Sequence, residues 1–169
     1  GALRAEKNYP RLVRAVAGAG GDLTLRIHGE GDQRDAILQA ARSTGLKGVE
    51  LPGATNAPEA ALASFDIFAL SSDTEQMPIS LMEAMATGLP VAATDVGDIA
   101  QMVSAENRPF VTPAGDEAAL AASVKTLAGD PALRARLGAA NQAKARAEFA
   151  AERMVAAYAA LFRQVAAAR

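Results

Sequence analysis

The chain has 169 residues, half of them hydrophobic, which is enough for one well-buried core and therefore for one domain. Its 17 basic and 19 acidic residues nearly balance at a net charge of −2, so no basic surface argues for nucleic acid. The absence of cysteine excludes disulfides and thiolate metal sites, and a single histidine leaves only carboxylates for metal binding. No apolar run approaches the ~18 residues of a membrane span, and no signal-peptide pattern opens the chain, so the expected location is the cytoplasm.

Helical and extended patterns alternate along the chain. Tyr9 to Val16 has helical spacing of apolar residues, with Pro10 suited to the first turn and Gly18 to Gly21 ending it. Leu23 to Ile27 alternates as a strand, Asp32 to Thr44 is an amphipathic helix closed by Gly45, Val49 to Leu51 is a short strand, and Pro58 to Ser64 a short helix. Phe65 to Leu70 reads as a buried strand, Leu81 to Thr87 as a helix stopped by Gly88 and Pro90, and Val91 to Thr94 as a further strand. Ile99 to Val103 is helical, Phe110 to Thr112 extended, and Glu117 to Leu127 helical. Asp130 and Pro131 make an N-cap and first-turn pair for a helix, and the Ala-rich remainder after Ala139 keeps helical spacing. Strands separated by helices predict a Rossmann-like parallel sheet with helices on both faces. Ligands of such sheets bind beyond the carboxyl ends of the strands, and the segment around Glu75 follows one.

That segment, Glu75 to Val91, carries the chemistry. Glu75 precedes a helix start and Glu83 lies within the helix, eight residues on. A helix start aims unpaired backbone N–H groups and the positive end of the helix dipole at one point, where a diphosphate can sit. Taken alone, Ser80-Leu81-Met82-Glu83 also fits a capping box that needs no ligand, Glu75 fits a solvated loop acid and Lys7 a solvated lysine. His28 reads as a strand-end residue, Met82 and Met85 as core, and Gly29-x-Gly31 as a short glycine loop of low specificity.

The spacing Glu-x7-Glu followed by Ala84-Met85-Ala86-Thr87-Gly88-Leu89-Pro90-Val91 closely resembles the donor-binding motif of retaining group 1 glycosyltransferases (family 4) of the GT-B fold. Glu6-Lys7-Asn8, His28 to Gly31, Phe65 to Ser72 and Val111 to Asp116 extend the resemblance over nearly the whole chain. It implies one half of a GT-B enzyme, the domain that binds a nucleotide diphosphate sugar. It also implies a hydrophobic strand before Gly1 and a separate N-terminal domain holding a sugar, polysaccharide or lipid-linked acceptor, so residues 1–169 are expected to be a fragment whose missing half could meet the inner face of a membrane. By the same resemblance Lys7 binds the diphosphate and stabilises it as it leaves, with no cofactor and no metal. Backbone N–H groups of Met77, Pro78's successors Ile79 and Ser80 hold the sugar and diphosphate, Glu75 contacts the donor sugar near the reacting centre, and Glu83 accepts from both ribose hydroxyls. The family often has arginine directly after the first glycine; here that place is Ala2, and Arg4 is the expected substitute. Gln76 stands where glycine is common and changes the room near the sugar.

Residues 150–169 resemble the family's final helix, which packs on the other domain. Met154, Val155, Tyr158, Leu161, Phe162 and Val165 form one apolar stripe that must fold back, pair with another chain as in a dimer, or stay exposed. Two other readings compete: a non-catalytic nucleotide-binding or interaction module with a flavodoxin-like sheet, and a GT-B relative that epimerises nucleotide sugars, for which more histidines than His28 are expected.

Overall fold

The computed structural model describes residues 1–167. After a 3-10 turn at Ala5–Lys7 come α1 (Tyr9–Ala19), β1 (Leu25–His28), α2 (Arg34–Thr44), β2 (Val49–Gly53), α3 (Pro58–Ala63), β3 (Phe68–Leu70), α4 (Ile79–Thr87) and β4 (Val91–Asp95). They are followed by α5 (Ile99–Met102), a 3-10 turn at Arg108–Phe110, β5 (Val111–Pro113), α6 (Glu117–Gly129), α7 (Pro131–Glu148) and α8 (Ala151–Ala167). Residues 168 and 169 of the expected final helix lie outside the described residues.

All strand pairs are parallel, as the alternation predicts, but they form two sheets rather than one: β1 pairs with β2, and β3, β4 and β5 pair in that order. Phe65 to Ile67, expected to be extended, lie outside the pairing, and β3 is only Phe68 to Leu70. Helices cover both faces of the second sheet, and strand alternation along β4 shows how. Ala92 packs into the cluster built by α1, α2, α6 and β1, whereas Val91 and Ala93 pack with Leu81, Met85, Ile99 and Met102 of α4 and α5.

Local chemistry sets the helix ends. Asn8, in the left-handed region at φ 44, accepts from the Arg11 N–H at 3.3 Å and starts α1, with Pro10 in its first turn. Asp116 and Asp130 cap α6 and α7, accepting from Ala119 and Leu133 at 2.9 and 2.8 Å. Asp130 and Pro131 therefore act as their order predicts. Helix α4 begins at Ile79 rather than Leu81, on Pro78 as N-cap. Ser80 is consequently inside the helix, and the capping-box reading of Ser80 and Glu83 does not hold, because the box needs serine at the N-cap.

Helix α8 carries no buried residue. Its stripe of Met154, Val155, Tyr158, Leu161, Phe162 and Val165 is at least half exposed along its length, which is the third of the three fates open to it.

Candidate functional site

Lys7 and Glu75 are 68 residues apart and meet at 2.7 Å, Nζ to Oε1. The same oxygen accepts from the Ser72 hydroxyl, also at 2.7 Å. Glu75 is thereby sunk to 8% side-chain exposure while Lys7 keeps 26%. A buried carboxylate is tolerated because both its neighbours donate to it.

A polar lattice holds the two backbones in place. The Asp73 N–H donates to the Glu6 carbonyl at 2.8 Å, and the Ser71 hydroxyl lies 3.0 and 2.9 Å from the carbonyls of Lys7 and Asn8. Arg11 pairs with Asp73 at 2.5 Å and donates to the Ser71 carbonyl, while the Asn8 amide donates to the other Asp73 oxygen at 3.0 Å. The turn bearing Lys7 is thus bolted to the loop that leaves β3. From the far side Gly97, at φ 57, presses on the same loop; a Cβ there would overlap the carbonyls of Glu75 and Gln76. The Asp98 N–H next to it donates to the Gln76 carbonyl at 3.0 Å.

Helix α4 then starts in the open. The first of its amides to bond back along the chain is that of Leu81, to the Pro78 carbonyl at 3.1 Å, so the N–H groups of Ile79 and Ser80 project from the helix start. No acidic residue occupies its first turn to offset the positive dipole end. Glu83, one turn further on, is exposed.

Lys7, Ser80 and Glu83, together with Gly1, His28 and Tyr9, line one cavity of about 840 Å³ that runs along the whole of β1 and β3. The Tyr9 phenol is pushed above its ordinary value, first by burial and then by Glu75. Arg4 lines a neighbouring hollow of about 500 Å³ with Glu30 and Asp32 and does not share the walls of the first. Gln76, Met77 and Ile79 are exposed and Pro78 is buried. His28 ends β1 with its ring 6.2 Å from Phe65, as a strand-end residue. Met85 is core as expected; Met82 is half-buried. Sequence reasoning missed Ser72, Asp73, Asn8 and Arg11 as a supporting set. The adjacent Ser71-Ser72 and Asn8, an N-cap residue type two before Pro10, were the available signals, and their partners become visible only when β3 and α1 are side by side.

The family model for group 1 glycosyl transferases matches residues 1–130. This chain belongs to that family. The group 1 chain is 28% identical over 157 residues to the lipopolysaccharide core biosynthesis glycosyltransferase LpsD of Rhizobium meliloti (strain 1021), covering 92% of this chain and 46% of that protein. It is 33% identical over 145 residues to 2-deoxystreptamine glucosyltransferase of Streptomyces kanamyceticus, covering 78% and 36%. Among solved structures, Anabaena Alr3699/HepE in complex with UDP superposes with a TM-score of 0.90 at 23% identity, over 97% of this chain and 47% of that one. Sucrose-phosphate synthase from Thermosynechococcus elongatus does so at 0.88 and 26% identity, over 100% and 45%. The architecture is that of GT-B glycosyltransferases. The group 1 chain spans less than half the length of these relatives. Among its described residues no helix is long and apolar enough to cross a membrane.

Proposed function

We propose that this group 1 chain is the donor-binding domain of a retaining glycosyltransferase that moves a sugar from a nucleotide diphosphate sugar to an acceptor hydroxyl. The observation that carries the reading is the shared cavity: a lysine, a helix start without acidic residues and an exposed glutamate line one mouth at the carboxyl end of β1. A diphosphate seated there meets the N–H groups of Ile79 and Ser80 and the Lys7 cation. Glu83 is spaced one turn from that point, within reach of both ribose hydroxyls as a two-oxygen acceptor. The donor sugar lies toward Glu75, Gln76 and Met77.

Lys7 supplies the cationic stabilisation of the departing nucleoside diphosphate, so the reaction asks for no cofactor and no metal. Lys7 also neutralises Glu75, and a bound diphosphate would draw the ammonium toward itself and release the carboxylate for the sugar. Arg4 reaches the phosphates only from its neighbouring hollow. A second half of the enzyme holds the sugar, polysaccharide or lipid-linked acceptor and would carry any contact with a membrane face. The apolar face of α8 is fitted to pack on that half, or to form a dimer in its absence.

Titration calorimetry in chelator with UDP, GDP and ADP tests the site. We expect heat from at least one of them, and weaker binding by Glu83→Gln with stability changed by less than ~1 kcal/mol, since glutamine is the poorer partner for two hydroxyls. A folded sample giving heat with none of the three, or a Glu83→Gln variant that binds as well as the parent, would overturn the assignment. Release of nucleoside diphosphate should depend on an acceptor only when the other half is supplied, because acceptor positioning and water exclusion require a closed cleft.

A further inference from the structure

Two donors meet on one oxygen of Glu75, and they differ in how firmly they are held. Lys7 reaches Oε1 from another element on a long, partly exposed stem, whereas Ser72 reaches it from three residues earlier on the same loop and is 1% exposed. A diphosphate carries more negative charge than a carboxylate, so the ammonium is the donor that can be drawn away. The serine cannot follow it. Its backbone is anchored by Thr94, a fully buried residue of β4 whose hydroxyl donates to the Ser72 carbonyl at 2.7 Å. The chain on the far side of Glu75 is fixed as well, by the Asp98 N–H on the Gln76 carbonyl.

The two neighbouring serines hold the two partners of the ion pair. The Ser71 hydroxyl lies against the carbonyls of Lys7 and Asn8 and fixes where the lysine stem begins, while the Ser72 hydroxyl fixes where the carboxylate ends. A serine hydroxyl has one proton to give, and Ser72 gives it to Oε1. The second carboxylate oxygen, Oε2, has no partner among the described residues, where no side-chain nitrogen or oxygen is both buried and unpartnered. Oε2 is therefore the oxygen that reaches open space. A carboxylate held by one oxygen presents the other in a fixed direction. One that loses both donors turns about its last bond and, at 8% exposure, is left largely out of water with nothing donating to it.

We propose that Ser72 is a positioning residue for Glu75: it is the donor that stays on Oε1 when Lys7 turns to a bound diphosphate, and so it keeps Oε2 directed outward for the sugar. The role rests on the donor-site reading above. Without the serine hydroxyl, each transfer of Lys7 to a phosphate strands a buried carboxylate, and that penalty falls on diphosphate binding. Without the carboxylate charge there is nothing to strand, and the serine no longer matters. Dependence of one residue's effect on the other is what separates positioning from a general loosening of the loop.

Titration calorimetry with UDP, GDP and ADP compares the protein with Ser72→Ala, Glu75→Gln and the double variant. For whichever nucleoside diphosphate the parent binds, Ser72→Ala should raise Kd roughly fivefold to tenfold, because a charged acceptor loses its remaining donor. Glu75→Gln should lower Kd, because no carboxylate competes for Lys7, and adding Ser72→Ala to it should change Kd less than about twofold. Ser72→Cys, close in size but a weaker donor, should fall between the parent and Ser72→Ala, and it takes over the comparison where the alanine variant does not fold. Parent-like affinity in every Ser72 variant that folds, or the same loss with and without the Glu75 charge, overturns the positioning role and leaves the donor site standing. A folded parent that binds none of the three overturns the donor site and the role together.

Discussion

Tyr9 begins α1 with its hydroxyl against Gly1 and its phenol half-buried beside Glu75, and both surroundings oppose its ionisation. The folded chain therefore keeps the phenol proton to a higher pH than the unfolded chain, whose tyrosine ionises near 10. Stability from this source is fully present below about pH 10 and is lost as the pH climbs through the raised folded value. Tyr9→Phe should remove that component, so its unfolding free energy, measured by urea between about pH 9 and 11, should fall less steeply than the parent's; parallel slopes would refute the assignment. At this scale the sequence showed the parts and not their couplings. Lys7 and Glu75 were legible from a motif, but their direct pairing depends on a turn and a loop brought together by Ser71, Asp73 and Arg11. The serine-to-glutamate spacing at Ser80 and Glu83 misled in the opposite direction, because a box spacing says nothing of where the helix begins, and Pro78 moves that start forward by two residues.

Among the elements, β4 depends on two buried asparagines that look like turn residues in the sequence. The Asn107 amide imitates a neighbouring strand, accepting from the Val91 N–H at 2.9 Å and donating to the Val91 carbonyl at 2.8 Å. Asn141, from α7, donates to the same Asn107 oxygen and to the Leu89 carbonyl, both at 2.9 Å, and accepts from the Ser104 N–H at 3.0 Å. Both side chains are fully buried. Asn107→Ala strands two backbone groups of Val91 and one amide of Asn141, and should cost about 3 kcal/mol in urea unfolding. A loss below about 1 kcal/mol would mean that water replaces the amide. Helices and strands themselves were readable from periodicity and from Gly, Pro and Asp punctuation, with ends displaced by two or three residues. Phe65 to Ile67 look strand-like by composition, yet pairing begins only at Phe68, where β4 is alongside.

For the molecule as a whole, α8 contributes almost nothing to the domain that precedes it. Leu81 is completely buried between β4 and α5, whereas Phe162 on α8 is 68% exposed. Leu81→Ala should cost about 3 kcal/mol, and Phe162→Lys less than ~0.5 kcal/mol, in denaturant unfolding of the same chain. An equal cost for the two would show that α8 folds back on the core in solution. The parallel α/β architecture was legible because strands and helices alternate. The division into two sheets was not, since period and composition describe each strand and not whether its neighbours are in place.

The chain has no tryptophan, and its two tyrosines stand at these two unlike places: Tyr9 in the wall of the cavity and Tyr158 on the bare face of α8, 57% exposed. Its ultraviolet emission is therefore the sum of two lamps. One dims or brightens with whatever enters the cleft; the other with whatever covers the last helix. Replacing either by phenylalanine leaves a single-lamp protein, so filling of the cleft and covering of the helix can be followed separately, in unlabelled solution, within one molecule.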